Sequence, residues 1–352
     1  MTPPDVSAVV VTHGNASDAL ACVASLRRAF EEEKISGEIV LVDCGSGAQE
    51  TRRLESAGAD VFLPLAENRG YSGGVNAGLS RARSFRLVLS NADVEFRSGA
   101  LHPLLEAIED PGVGAAAPLA FWDSQDRLRL PSGWAPGFRS DLAQLSAGRS
   151  ASRDDARFAS YAREAVRLWQ RGGETRQLSG AVLAARRDTF DRVGRFDERF
   201  PFEYEETEWE DRVRARGLAL RFVPAARVHH GWGATAADAG ETAARRAVSR
   251  RLYWRERYGA IRCAVLERAA RRRTEVPYPR ITEPVLAARD GAWAAISTNP
   301  SLLPFAGTPL EADFRLPREV EARLSGATLY LRSFRESDGR PLETFVWEGA
   351  GE

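Results

Sequence analysis

Four apolar runs in the first 93 residues, each closed by a polar turn, constrain the fold more than any other feature of this sequence. Residues 6–11 are valine-rich and give way to Thr12-His13-Gly14; residues 38–42 end at Asp43 and the turn Cys44-Gly45-Ser46-Gly47. Residues 60–63 precede a polar loop, and residues 85–90 deliver Asn91-Ala92-Asp93. Short β-branched runs without strict alternation read as strands covered on both faces. Between the first two, Leu20, Val23, Ala24 and Leu26 recur at helical spacing behind Asn15 or Ser17 as a cap. Strand alternating with helix predicts an α/β fold with a mainly parallel sheet, whose ligands bind beyond the carboxyl ends of the strands. The polar residues at those ends are the first candidates for chemistry.

The pattern changes twice further on. Residues 123–176 loosen into Ser, Asp, Arg and Gly around one helical stretch at 161–171, and read as an insertion or flap. Order returns with apolar residues 181–185, the phrase VGRFDERFPFEYEETEW, a helix through Asp211 and Arg216 closed by Gly217, and a strand over 221–224 leading to His229-His230. Residues 241–273 are Arg-rich and helical in composition, after which Pro277, Pro279 and Pro284 break the chain. A boundary is expected near residue 275, between a main domain of residues 1–275 and a small β-rich region of residues 276–352. In that tail, 292–297, 327–333 and 343–347 read as strands, with Ser337-Asp338-Gly339 as a hairpin turn.

Lys plus Arg and Asp plus Glu both number 49, so no global field recruits nucleic acid or an anionic membrane, and any anion site must be local. The three cysteines, Cys22, Cys44 and Cys263, are widely spaced and fit no zinc or disulfide pattern, which favours a reducing cytoplasm. The opening MTPPDVSAVVVTHG has no basic region, and its apolar run is too short for a signal or a spanning helix. The expectation is a protein neither exported nor membrane-spanning.

Asp93 follows an apolar strand into the expected ligand crevice. A carboxylate there can hold Mg²⁺ or Mn²⁺, which bridges nucleotide phosphates; alternatively it caps a helix starting near Ser98 or turns the chain. Asp43 could accept a hydrogen bond from a nucleobase imide, with Ser46 supporting the turn, or could itself be only a turn residue. Gly70, Gly73, Gly74, Asn76 and Gly78 would let the backbone approach a ligand closely. Their stretch is not a phosphate-binding P-loop, lacking the Gly-Lys-Ser/Thr ending, nor a dinucleotide fingerprint after the first strand. Glu205, Glu206, Glu208, Glu210 and Asp211 cluster at a helix start, where the dipole tolerates them. Phe202, Tyr204 and Trp209 are interleaved with these acids, so at least one carboxylate should face a partly apolar pocket, with a raised pKa suited to a general base. His229 and His230 follow a strand at the same face and could join Asp93 on a metal.

In order as well as kind, residues 7 to about 259 resemble the family 2 inverting glycosyltransferases, particularly the bacterial rhamnosyltransferase-like group. Thr12-His13-Gly14 stands where that group has a Thr-Tyr-Asn-like turn, and Asp43-Cys44-Gly45-Ser46 where it has Asp-Asn-x-Ser. Asn68-Arg69-Gly70 through Gly74, Asn76 and Gly78 resembles its donor loop. Asn91-Ala92-Asp93 resembles its metal motif, with Asn91 in place of a first acid. Gly180-Ala181 and Gly194-Arg195-Phe196-Asp197-Glu198 resemble the acceptor-side signature, Glu205-Glu206 the acidic motif, and His230 with Gly233 and Thr235 its His-Gly-Ser/Thr string.

The resemblance implies a GT-A fold, with residues 1–122 as the nucleotide-sugar half, 123–240 as the acceptor and catalytic half, and 241–275 as a helical extension. It implies inverting transfer of a sugar from a nucleotide-diphosphate donor, dTDP-rhamnose or a UDP-sugar, to a glycan, lipid-linked glycan or other hydroxyl. Glu206 would be the base, and Asp93 and His230 would hold Mg²⁺ or Mn²⁺. Donor contacts would come from Thr12, His13, Gly14, Asp43, Ser46, Asn68, Arg69, Gly70, Gly74, Asn76, Asn91, Ala92 and Asp93. The acceptor side would comprise Gly180, Ala181, Phe196, Asp197, Glu205, Glu208 and Trp209. A cytoplasmic place, or a peripheral one at the inner face of the plasma membrane, goes with this reading; it involves no nucleic acid and leaves homo-oligomerisation open. Asn91 keeps open a catalytically silent sugar- or nucleotide-binding module. A nucleotidyltransferase is disfavoured because the first loop lacks a glycine-rich clamp bearing Arg and Lys.

Overall fold

The valine-rich runs become the buried centre of a nine-stranded sheet in a computed structural model that describes residues 3–146, 151–232, 239–271, 278–324 and 326–349. β1 (Val6–Thr12), α1 (Ala16–Glu32), β2 (Gly37–Asp43), α2 (Ala48–Glu55), β3 (Val61–Pro64), α3 (Gly70–Leu79) and β4 (Arg86–Asn91) follow in the expected alternation. β1 takes β2 and β4 as parallel neighbours, and β2 takes β3. Every residue of β1 is buried, which is why the run does not alternate. Asn15 caps α1 by accepting the Asp18 backbone N–H at 3.2 Å.

β5 (Val94–Phe96), α4 (Leu101–Ala107) and β6 (Val113–Phe121) come next, then α5 (Phe138–Leu145) and α6 (Ala151–Arg171). β7 (Gly173–Thr175), β8 (Val182–Arg186), α7 (Arg187–Val193), α8 (Glu205–Ala215) and β9 (Ala219–His230) return to the large sheet. Its order is β3-β2-β1-β4-β8-β6-β9-β5, with β7 paired to β9. β8 runs antiparallel to β4, so a parallel half meets an antiparallel half at the carboxyl end of β4. α9 (Ala239–Tyr258) and α10 (Ala260–Ala270) form the Arg-rich helical segment, broken at Gly259, whose φ is +82°. No helix among the described residues is long and apolar enough to cross a membrane.

The tail carries β10 (Arg280–Ile281), β11 (Val285–Leu286), β12 (Ala292–Ser297), β13 (Ala306–Pro309), β14 (Phe314–Arg315), α11 (Arg318–Arg323), β15 (Thr328–Arg335) and β16 (Pro341–Glu348). The expected β-rich region is therefore present. It has a five-stranded sheet in the order β10-β16-β15-β12-β13 and a separate β11-β14 pair.

Two expectations are corrected here. Residues 70–79 are not a loop but α3, and two of its glycines face the sheet: a β-carbon at Gly74 would lie 2.5 Å from Val11 Cγ1 and 2.8 Å from Cys44 Sγ, and one at Gly78 would overlap Val9. The missing side chains let a helix, rather than a ligand, come close. The boundary near 275 also moves. Met1–Ala120 with Gly172–Tyr253 make one compact unit, and Phe121–Arg171 with Trp254–Glu352 make the other. Within the second unit, Phe158 stacks on Phe305 at 5.2 Å and meets Phe334 edge-on at 5.4 Å, and Trp169 stacks on Trp293 at 5.4 Å. The loosely patterned insertion thus shares its core with the tail, and a cut at 275 would pass through that core.

Candidate active site

The end of β4 and the end of β9 meet through β5. The antiparallel β5–β9 register sets Val94 opposite His230 and Glu95 opposite His229, and successive side chains on a strand point to opposite faces. His229 Nδ1 accordingly lies 3.8 Å from Glu95 Oε1, and at the turn that leads into β5 His230 Nε2 faces Asp93 Oδ1 at 3.4 Å, both side chains nearly buried. Of the two histidines, His230 is the one whose ring lies against Asp93. The Asp93 carbonyl accepts the Gly231 N–H at 2.8 Å, and the Asn91 N–H donates to the Ala181 carbonyl at 2.9 Å, so the whole Asn91-Ala92-Asp93 turn is fixed by backbone bonds. Asp93 does not cap α4, which starts at Leu101 behind Ala100. Gly233 and Thr235 of the matching string lie outside the described residues.

The acidic helix start is the second component. Glu203 and Tyr204, both non-glycine, hold left-handed backbone at φ 59° and 71° immediately before α8, a conformation that persists only where the surroundings enforce it. α9 supplies that enforcement. Arg246 pairs with Glu203 at 2.6 Å, Arg245 donates to the Pro201 carbonyl at 3.0 Å, the Phe202 N–H donates to Ser249 Oγ at 3.2 Å, and Tyr253 donates to Asp211 at 2.8 Å. Glu205 and Glu206 each keep an Oε2 shielded from solvent with no hydrogen-bond partner among the described residues. Burial, with the Glu203 charge adding, pushes the Glu206 carboxyl up to about 7. Burial and then the Glu206 charge raise Glu205 well above the carboxylate range, and the same two causes raise Glu210, whose carboxylate takes the Leu178 N–H.

Gly180 and Tyr71 join the two components. A β-carbon at Gly180 would lie 2.9 Å from Glu206 Cγ, so the turn before β8 forms the floor under that carboxylate. Tyr71, in the first turn of α3, donates its hydroxyl to the Gly180 carbonyl at 3.1 Å. Burial raises its phenol, and the charges of Glu205, Glu206 and Asp93 raise it further, placing all three carboxylates within electrostatic reach of one hydroxyl. Sequence reasoning passed over Tyr71. The available signal was a single polar aromatic inside a run of glycines.

Other expected site residues serve the scaffold. Asp43 is fully buried, and both of its oxygens are engaged, Oδ1 by the Ser46 N–H and hydroxyl and Oδ2 by the Thr51 hydroxyl, so it holds a turn rather than presenting an oxygen to a base. Ser46 Oγ accepts the Gly14 N–H at 2.7 Å and His13 Nδ1 lies 2.8 Å from the Cys44 carbonyl; together these lock the β1 and β2 loops, while Thr12 is buried beneath them. Asn76 donates to the Phe196 carbonyl and to Glu198, and Arg69 pairs with Glu198 at 2.6 Å, so Asn76, Arg69 and Glu198 clamp the 196–198 turn onto α3. Asn68 Oδ1 accepts the Gly70 N–H. Phe196 and Trp209 are core residues: Trp209 stacks on Phe190 at 4.8 Å, meets Phe196 at 5.6 Å, and is fully buried. Asp197 is held below the usual carboxylate range by its hydrogen bonds to Arg199. Glu208 is bound in a bidentate pair with Arg212, a bond across one helix turn. Of the expected acceptor side, Gly180, Ala181 and Glu205 remain beside Glu206, whereas Phe196, Asp197, Glu208 and Trp209 are accounted for by packing and ion pairing.

Residues 7–169 match the sequence profile of glycosyl transferase family 2. The matched region includes the parallel β3-β2-β1-β4 half of the large sheet. Over 187 residues the chain is 27% identical to the N-acetylglucosaminyl-diphospho-decaprenol L-rhamnosyltransferase of two Mycobacterium tuberculosis strains, a region of 48% of this chain and 58% of the relative. The chain thus spans 58% of the length of the curated relatives it matches. Among solved structures, GalNAc-T7 with UDP, GalNAc and Mn²⁺ aligns with a TM-score of 0.47 at 19% identity, covering 66% of this chain and 46% of that one. The mannosyltransferase PcManGT from Pyrobaculum calidifontis in complex with GDP-Man and Mn²⁺ aligns at 0.44 and 16% identity, covering 76% and 74%.

Proposed function

We propose that this chain transfers a sugar from a nucleotide-diphosphate donor to an acceptor hydroxyl by single displacement, with Glu206 as the base. The observation that carries the reading is the Glu206 carboxylate: an orphan oxygen out of solvent, pushed up to about 7, over a glycine floor. A base poised near 7 is matched to taking a proton from a sugar hydroxyl at neutral pH. In the step, the acceptor oxygen bonds to the anomeric carbon as the bond from that carbon to the diphosphate oxygen breaks, and the hydroxyl proton passes to Glu206. Tyr71 and Gly180 keep the carboxylate in place. No covalent sugar–enzyme intermediate is required.

Asp93 and His230 suit a divalent cation. They offer one carboxylate oxygen and one imidazole nitrogen, facing each other and nearly buried. Among the described residues no group of three or more possible protein ligands occurs, so a cation on this pair would complete its shell from donor phosphates and water. Bound there, Mg²⁺ or Mn²⁺ would offset the charge that develops on the departing nucleoside diphosphate. The relatives named as N-acetylglucosaminyl-diphospho-decaprenol L-rhamnosyltransferases support a deoxyhexose donor, for which dTDP-rhamnose is our choice, and a lipid-linked, diphosphate-bearing acceptor; a place at the inner face of the plasma membrane goes with that reading.

The test is a panel of dTDP-, UDP- and GDP-sugars with Mn²⁺, with and without a polyprenyl-diphosphate N-acetylglucosamine acceptor, read as released nucleoside diphosphate and as glycosylated product. Transfer from one donor with inverted anomeric configuration is expected. Retention of configuration, or no turnover of any donor, would remove the proposal.

A further inference from the structure

The Arg-rich helical segment is not used by the site chemistry beyond the arginines that hold residues 201–203. Residues 239–271 contain nine arginines against three glutamates in a chain whose formal charge is zero. The part within the second compact unit presents a defined face. On α10, Ile261 is 84% exposed and Val265 42%, and Ala264, Arg268 and Arg271 are exposed beside them. Spacings of three, four, seven and ten residues from Ile261 put all five on one side of the helix. Cys263 and Leu266 occupy the opposite side and are buried.

The end of α9 and α10 are both held against α5. On α9, Trp254 Nε1 and the Tyr258 hydroxyl donate to Asp141 Oδ2 at 2.9 and 3.1 Å; on α10, the Arg262 guanidinium lies over the Phe138 ring at 5.3 Å. Two branched aliphatic side chains are thereby held in water next to arginines. A shallow hollow lined by Ala264, Glu267, Arg268 and Arg271 opens on the same face.

We infer that this face of α10 docks on the surface of an anionic phospholipid bilayer. The chemistry selects a bilayer because the face combines two requirements. Ile261 and Val265 gain by leaving water for the boundary between headgroups and acyl chains, and Arg268 and Arg271 can lay their stems along that boundary while reaching lipid phosphates. A nucleic-acid backbone would satisfy the arginines but leave the aliphatic pair exposed. The docking goes beyond the transferase reading and rests on it only for its purpose, which is to bring the site to a lipid-linked acceptor.

The experiment is flotation of the full chain with vesicles of phosphatidylglycerol and phosphatidylcholine, against vesicles of phosphatidylcholine alone, at low and high salt. Two double variants are compared: Ile261→Asp with Val265→Asp, and Arg268→Glu with Arg271→Glu. All four positions are exposed, and circular dichroism checks that the helices persist. Wild type is expected to float with the anionic vesicles and not with the neutral ones, and each double variant to lose about tenfold or more in binding. The inference is overturned if wild type ignores anionic vesicles, or if both variants bind as wild type does. It is also overturned if binding to a nucleic-acid polyanion matches vesicle binding and is indifferent to the Ile261 and Val265 changes. Lipid-free donor hydrolysis is measured alongside: its absence in wild type strikes the transferase reading, whereas equal hydrolysis in all three proteins leaves the docking result to stand alone.

Discussion

Gly180 and Glu206 compete for one space: a β-carbon at position 180 would lie 2.9 Å from Glu206 Cγ and 3.3 Å from its Cδ. The middle of the Glu206 side chain, not its flexible end, is what would have to move. Gly180→Ala should therefore displace the carboxylate while leaving the sheet intact. Because misplacement by about 1 Å can cost about 10²-fold in rate, turnover should fall by one to two orders of magnitude with little change in melting temperature. Steady-state kinetics with a thermal melt check it; a fully active Gly180→Ala would mean that Glu206 does not need its present position.

Tyr71 gives a milder test of the same arrangement. Tyr71→Phe keeps the ring that packs near Phe196 at 6.3 Å and removes only the hydroxyl bonded to the Gly180 carbonyl. The bond is worth about 1 kcal/mol, so kcat should drop roughly fivefold. Donor affinity should not move, since the hydroxyl acts through the Gly180 turn. A change confined to donor affinity would instead put Tyr71 in direct contact with the nucleotide sugar.

Asp93→Ala and His230→Ala should each weaken Mn²⁺-dependent donor binding by about tenfold or more, because even outer-shell changes cost that much at metal sites. The strand register makes His229→Ala the control, its ring lying toward Glu95. Titration of donor with and without Mn²⁺ separates the three. Equal loss in His229→Ala would overturn the assignment of His230 to the cation.

How far this was legible in the sequence depended on whether a residue's signal was local. The strand ends were visible because buried parallel strands leave an unmistakable apolar run, and Asn91-Ala92-Asp93 and Glu205-Glu206 were found there and at a helix start. Glycines, however, carry the same signature whether a ligand or a strand approaches, so the sequence of α3 reads as a donor loop. Aromatics near acids look alike in a pocket or a core, and Trp209 belongs to the core. The unit boundary had no local signal at all, because Phe158 finds Phe305 and Phe334 about 150 residues or more downstream.

Gly74 turns the corrected reading of α3 into a measurement. Its backbone lies against Val11 and Cys44, so Gly74→Ala should overpack the helix–sheet contact and destabilise the ligand-free protein by roughly 1–3 kcal/mol. A chemical denaturation series without any nucleotide sugar reads this directly. Unchanged stability with reduced donor affinity would return the glycines to a ligand-facing role.

Glu206→Gln should cut transfer by about 10²-fold or more while donor affinity stays near wild type, because Gln keeps the reach of Glu but cannot take the proton. The pH dependence identifies the group. Burial places Glu206 at about 7 against an ordinary 4.5, so in wild type kcat should climb with pH up to about 7 and then level as the basic form fills. That limb should vanish in the Gln variant. Stability runs the other way: with its folded value raised, the carboxyl holds its proton longer in the folded chain, so its contribution is fully present below about 4.5 and is lost as pH rises through 7. Gln avoids that loss, and Glu206→Gln should melt higher than wild type at pH 8, with the difference shrinking toward pH 4.5. Glu208→Gln is the control, since its carboxylate is already committed to Arg212 and only a surface helix pair would be lost. If the limb near 7 survives in Glu206→Gln but disappears in Glu205→Gln, the base is the neighbouring residue; if Glu208→Gln alone is inactive, the floor made by Gly180 lies under the wrong carboxylate.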